Sequence, residues 1–61
     1  MKYKELFRIL QDHGCEIKRH GANHDIWFSP INNGLFPVGR HGSQEVPTGT
    51  FNSILKEAGI K

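Results

Sequence analysis

Gly21-Ala22-Asn23-His24-Asp25-Ile26-Trp27-Phe28-Ser29 is a glycine turn running into an alternating segment. His24, Ile26 and Phe28 fall on one side and Asp25 and Trp27 on the other, a period of two that belongs to a strand and not to a helix. The segments around it read as its neighbours. Upstream, Cys15 to His20 alternates as well, with Cys15 and Ile17 on one face and Glu16 and Lys18 on the other. Downstream, Asn33-Gly34 is a two-residue hairpin signal, because both residues tolerate the positive φ of a type I′ turn. Leu35 to Val38 then forms a third strand. Pro37 within it lacks an N–H and so belongs at a sheet edge or a bulge. Gly39 to Pro47 is a polar loop.

Two amphipathic patterns bracket these strands. Tyr3, Leu6, Phe7 and Leu10 form one apolar helical stripe, which Ile9 broadens, and Gly14 stands where a left-handed cap ends a helix. Phe51, Ile54, Leu55 and Ala58 repeat the spacing. Gly59 is the corresponding cap, Ile60 can fold back, and Thr48 or Thr50 can cap the start. The predicted order is α-β-β-β-α: an α+β fold with a three-stranded antiparallel sheet and both helices on one face, the order found in double-stranded-RNA-binding domains. Fold alone does not assign function, but this order makes RNA a partner to test.

The chain has 61 residues and is expected to be a single domain spanning 1–61. A domain this small buries only about 60% of its unfolded surface. Its one cysteine, Cys15, excludes an internal disulfide and reads as a small buried hydrophobe. A lone thiol suits a reducing compartment, so a cytoplasmic location is expected. No signal-peptide core and no membrane-length apolar run stands out. The net charge is +2 with four histidines uncounted. Lys18-Arg19-His20 and Arg40-His41 concentrate the positive charge. Taken alone, each cluster reads as a solvated edge; together, flanking the His24 segment, they suit a phosphate-facing surface.

His24 is the best candidate for chemistry. An imidazole exchanges protons near neutrality, and a strand's first residue is held yet open to water. A single strand histidine taken alone is more often structural. Asp25, its neighbour, points to the opposite face and reads as solvated or turn-capping; Trp27 reads as core or interface packing. Zinc is a poor fit to His13, Cys15, His20 and His24, since a glycine turn interrupts the spacing of the last two.

In order along the chain stand His13-Gly14, Lys18-Arg19, Gly21, His24, Trp27, Arg40-His41, Val46-Pro47-Thr48-Gly49-Thr50 and Ile54-Leu55-Lys56-Glu57-Ala58-Gly59-Ile60. This series resembles the HicA-type mRNA interferases, toxins of HicA–HicB pairs, over nearly the whole chain. The resemblance implies a fold similar to double-stranded-RNA-binding domains, an endoribonuclease activity, catalysis by His24 and a HicB-type antitoxin as partner. Gly21 would shape the turn, and Lys18, Arg19, Arg40 and His41 would meet RNA. No cofactor is implied. Members often carry Gly-Ser-His; here Ala22 and Asn23 separate Gly21 from His24, so the turn is one residue longer and Asn23 is its polar side chain. The rival reading is a non-catalytic duplex-RNA-binding module. Against it, the last helix carries no cation before Lys56.

Overall fold

A computed structural model describes all 61 residues. The order is α1 (Tyr3–Asp12), β1 (Glu16–His20), β2 (His24–Ser29), β3 (Gly34–Gly39) and α2 (Thr48–Glu57). The strands form one antiparallel sheet in the order β1-β2-β3, so the α-β-β-β-α expectation is met. Cross-strand partners share a face of a sheet. Asp25, Trp27 and Ser29 of β2 lie inward with Phe36 and Val38 of β3, all buried. Leu6 and Leu10 of α1 and Ile54 and Leu55 of α2 close over them, with Cys15, Val46 and Ala58 completing one core. Both helices therefore cover one face. His24, Ile26, Phe28, Leu35 and Pro37 lie on the other, which no element covers.

Trp27 is the largest side chain at the centre, 2% exposed, with Phe7 stacked on its ring at 5.9 Å between centroids. Both helix ends turn as expected. Gly14 and Gly59 take positive φ, 85° and 77°. The amides of Cys15 and Ile60 donate back to Leu10 and Leu55, each at 3.0 Å.

Four local expectations are corrected. The β2–β3 connection is a four-residue loop, 30–33, because Ser29 pairs with Gly34; only Asn33 has positive φ, 56°, so there is no type I′ turn. Asn32 builds this loop instead: its amide nitrogen donates to the Glu57 carbonyl and its oxygen accepts from the Gly34 amide, both at 2.9 Å. Second, α2 begins with Pro47 at its N-cap and no side-chain cap, because Thr48 and Thr50 already sit inside its first turn. Third, β1 does not alternate throughout. Ile17 pairs with Trp27 but Arg19 pairs with Ile26, leaving Lys18 as the extra residue of a bulge. Fourth, Asp25 is neither solvated nor a turn cap; it is buried.

The polar loop 40–47 is tied down by the start of α1. Amides of Tyr3 and Lys4 donate to the carbonyls of Gln44 (2.9 Å) and Gly42 (3.1 Å), filling helix-start donors that have no partner inside the helix. The Met1 amine meets Glu45 at 2.8 Å. This contact holds the Glu45 carboxyl below its ordinary pKa and raises that of the amine.

A core of this size supplies only about 3–5 kcal/mol. Removing a buried tryptophan costs about the same. Trp27→Ala is therefore expected to leave the chain largely unfolded at 25 °C. A cooperative thermal transition close to that of the parent would contradict the account.

Candidate active site

His24 is the first residue of β2, exposed and on the open sheet face. Its ring has no hydrogen-bond partner within the chain, in contrast to His13, whose Nδ1 lies 2.9 Å from the Ile9 carbonyl oxygen, and to His20. The ring borders an open groove of about 600 Å³ running between the free edge of β3 and α2. Pro37 and Gly39 line the strand side; Gly49, Thr50 and Ser53 line the helix side.

Anchors at the far end of α2 put the groove there. Ser29 Oγ donates to the Ala58 carbonyl and Asn32 to that of Glu57, pinning the C-terminus of α2 at the β2–β3 loop. The helix must then run back along β3, bringing its N-terminus to the end of the sheet where His24 pairs with Gly39. Its first amides, Thr48 to Thr50, have no intrahelical acceptor and no side-chain cap. Nothing lies within 4 Å of where a Gly49 side chain would begin, so this helix start is open. Oriented amides at such a start suit an anion.

The turn before His24 is tight. The Gly21 amide donates to the His24 carbonyl at 2.8 Å. A Cβ on Gly21 would lie 2.6 Å from that same carbonyl oxygen, closer than any side chain can approach. Gly21 is thus required by close backbone contact.

The β1 bulge decides where the cations go. Uninterrupted alternation would have put Arg19 on the inner face with Ile17. The extra residue turns Arg19 to the open face with Ile26, and Lys18 and Arg19 border a shallow depression with Ile26 and Leu35. Lys18 also sits over the Phe28 ring, 5.4 Å from its centroid. His24, Lys18 and Arg19 therefore share one surface. His41 is carried by the loop after β3 and packs edge-on to Tyr3, centroids 6.2 Å apart. Its ring occupies the space beside Gly39, 3.2 Å from where a Cβ there would be, and Gly39 is the cross-strand partner of His24. The two imidazoles thus stand at the same end of the sheet.

Arg40 is placed differently from the other cations. Its Nη2 donates to the carbonyls of Gly21 and Ala22, the latter at 2.7 Å, and its Nε lies 3.5 Å from Asp25 Oδ1. The same Asp25 oxygen accepts from His20 Nδ1 at 2.7 Å. Asp25, with a side chain 9% exposed, is thus a buried carboxylate held by a histidine and an arginine, and the sequence reading missed it. The signal was present: a residue on the Trp27 face is inward, and a buried carboxylate needs donors. Cys15 is buried, and the imidazoles of His20 and His24 leave the sheet on opposite sides. No trio of acidic, histidine or cysteine side chains gathers in the fold. No helix is long and apolar enough to cross a membrane.

These features define a class: a small α+β domain with an unpartnered histidine between a cationic sheet face and an open helix start. The family is shown by comparison. Residues 3–60 match the family described as HicA toxin of bacterial toxin–antitoxin, and the chain belongs to that family. No curated protein and no solved structure matches it.

Gly21→Ala is expected to push β2 away from the turn, lowering thermal stability and moving the amide resonances of residues 22–25. Unchanged resonances at those positions would show that the close contact does not constrain His24.

Proposed function

We propose that this toxin is a metal-independent endoribonuclease that cleaves mRNA, with His24 as the proton-transferring group, and that a HicB-type antitoxin neutralises it in the cytoplasm. One observation carries the proposal: in a chain of the HicA toxin family, His24 is exposed, has no hydrogen-bond partner within the chain, and lines a groove together with the uncapped start of α2.

RNA brings its own nucleophile. The ribose 2′-oxygen attacks the adjacent phosphorus while its proton leaves, and the 5′-oxygen departs with a proton, giving a 2′,3′-cyclic phosphate and a 5′-hydroxyl. A positioned imidazole contributes typically about 10²–10⁴-fold to such proton transfer. The charge growing on the phosphoryl oxygens is met by preorganised donors. A strand running along the open face passes Lys18 and then Arg19 before it reaches His24, with the Thr48–Thr50 amides beyond. His41 supplies the second proton-transfer group. No step of this chemistry calls on a metal.

The test is direct. Purified protein incubated with single-stranded RNA in EDTA should give fragments ending in cyclic phosphate. His24→Ala should bind RNA within a few-fold of the parent and cleave at least about 10²-fold more slowly. Intact but bound RNA would point to a non-catalytic RNA-binding module instead, and undiminished cleavage by His24→Ala would remove the histidine from the mechanism.

The open sheet face also suits the antitoxin. Leu35 is 64% exposed beside Ile26 and Phe28, with Lys18 and Arg19 at the margin. An antitoxin surface with an apolar centre and acidic rim would cover the cations and His24 together, and binding the folded state alone would stabilise a marginal domain. Leu35→Glu should weaken capture by the cognate antitoxin at least tenfold; equal affinity would place the antitoxin elsewhere.

A further inference from the structure

The turn that presents His24 is held by very little of its own. One backbone bond, from the Gly21 amide to the His24 carbonyl, closes it, and Ala22 and Asn23 are exposed. The rest of the restraint comes from a side chain 18 residues further on. Arg40 Nη2 donates to two successive carbonyls of the turn, Gly21 and Ala22. Its Nε faces Asp25, the residue after His24, whose carboxylate is buried and also engaged by His20. Arg40 thereby joins the residues just before His24 to the residue just after it. Rotation of the turn would break contacts on both sides at once.

A guanidinium suits this place in a way an ammonium does not. Its donors are fixed in one plane and directed to several acceptors together, whereas an ammonium is a compact point charge on a flexible stem. Three acceptors of the chain itself (two carbonyls and a carboxylate) engage Arg40. That is the pattern of a clamp. A cation waiting for a phosphate, like Lys18 or Arg19, stands without such acceptors. Arg40 also lies next to His41, so the clamp registers the His41 segment against the His24 turn.

We propose that Arg40, anchored by Asp25, is the positioning residue that holds the His24 imidazole at the mouth of the groove, and that it does not serve as a phosphate ligand. The proposal rests on the nuclease reading above, in which His24 transfers the proton. It replaces the substrate-contact role that the sequence suggests for Arg40. Misplacement of a reacting group by about 1 Å can cost 10²-fold in rate, so loss of the clamp should act on kcat and leave RNA affinity nearly unchanged.

The test uses Arg40→Lys, Asp25→Asn and His24→Ala, with Arg40→Lys repeated in the His24→Ala background. Cleavage kinetics, the salt dependence of RNA binding and amide hydrogen exchange are measured on each. For Arg40→Lys and Asp25→Asn, kcat should fall at least about thirtyfold with KM within threefold. The Gly21 amide, which donates to the His24 carbonyl, should exchange at least tenfold faster while those of Trp27 and Phe36 keep their protection. In the His24→Ala background Arg40→Lys should change the residual rate by less than twofold, because a residue acting through His24 has nothing left to position. Parental kcat in Arg40→Lys would overturn the proposal. So would a raised KM with a salt slope reduced by about one, the mark of a lost phosphate contact. Uniformly faster exchange, core amides included, would reduce Arg40 to a general structural role and also overturn it. Undiminished cleavage by His24→Ala is a separate failure: it removes the nuclease reading, while the exchange data still report whether the clamp exists.

Discussion

Everything in this fold depends on the two-sidedness of β2. Asp25, Trp27 and Ser29 are sealed beneath the helices, and His24, Ile26 and Phe28 stay outside. Burial of the Trp27 side supplies the main cohesive energy, since apolar area removed from water is the dominant favourable term in folding. The same burial fixes the register, because a slip of one residue would exchange the faces and leave Trp27 in water. His24 is exposed for the reason that Trp27 is buried.

Regular pairing alone would not build the site. Three departures from regularity shape it. The bulge at Lys18 carries Arg19 onto the open face. The tight turn at Gly21 starts β2 abruptly, with His24 as its first paired residue. The anchored C-terminus of α2 delivers the other end of that helix to the same place. Beneath the turn, the buried carboxylate of Asp25 is compensated by His20 and Arg40. A buried charge without partners would be too costly in so small a domain.

The size of the domain also shapes its surface. With only three strands, β1 and β3 are both edges, and all five residues of β1 are exposed. Unpaired strand edges invite association, and a bulge with flanking cations is a common protection against it. Here the protective features are also the cations of the open face. A surface that resists its own copies through positive charge is well suited to polyanions and to an acidic partner.

The helices, their glycine caps, the three strands and the burial of Cys15 were legible in the residues, because each follows from a spacing or a local backbone preference; Trp27 was legible as a packing residue, of core or interface, and the fold places it in the core. His24 and Trp27 could be assigned to opposite faces for the same reason. The bulge was not legible: Cys15 to His20 carries a valid alternating pattern, and only pairing against β2 shows which residue is extra. The hairpin was misread because Asn33-Gly34 satisfies one turn locally, while the contact of Asn32 with the end of α2 selects another. Asp25 was assigned to its face but not to its role, since its partners lie five and fifteen positions away. Periodicity and propensity act between near neighbours and were written in the chain. The groove, the shared cationic face and the Arg40 clamp depend on which distant segments meet, and packing of the helices on the sheet decides that.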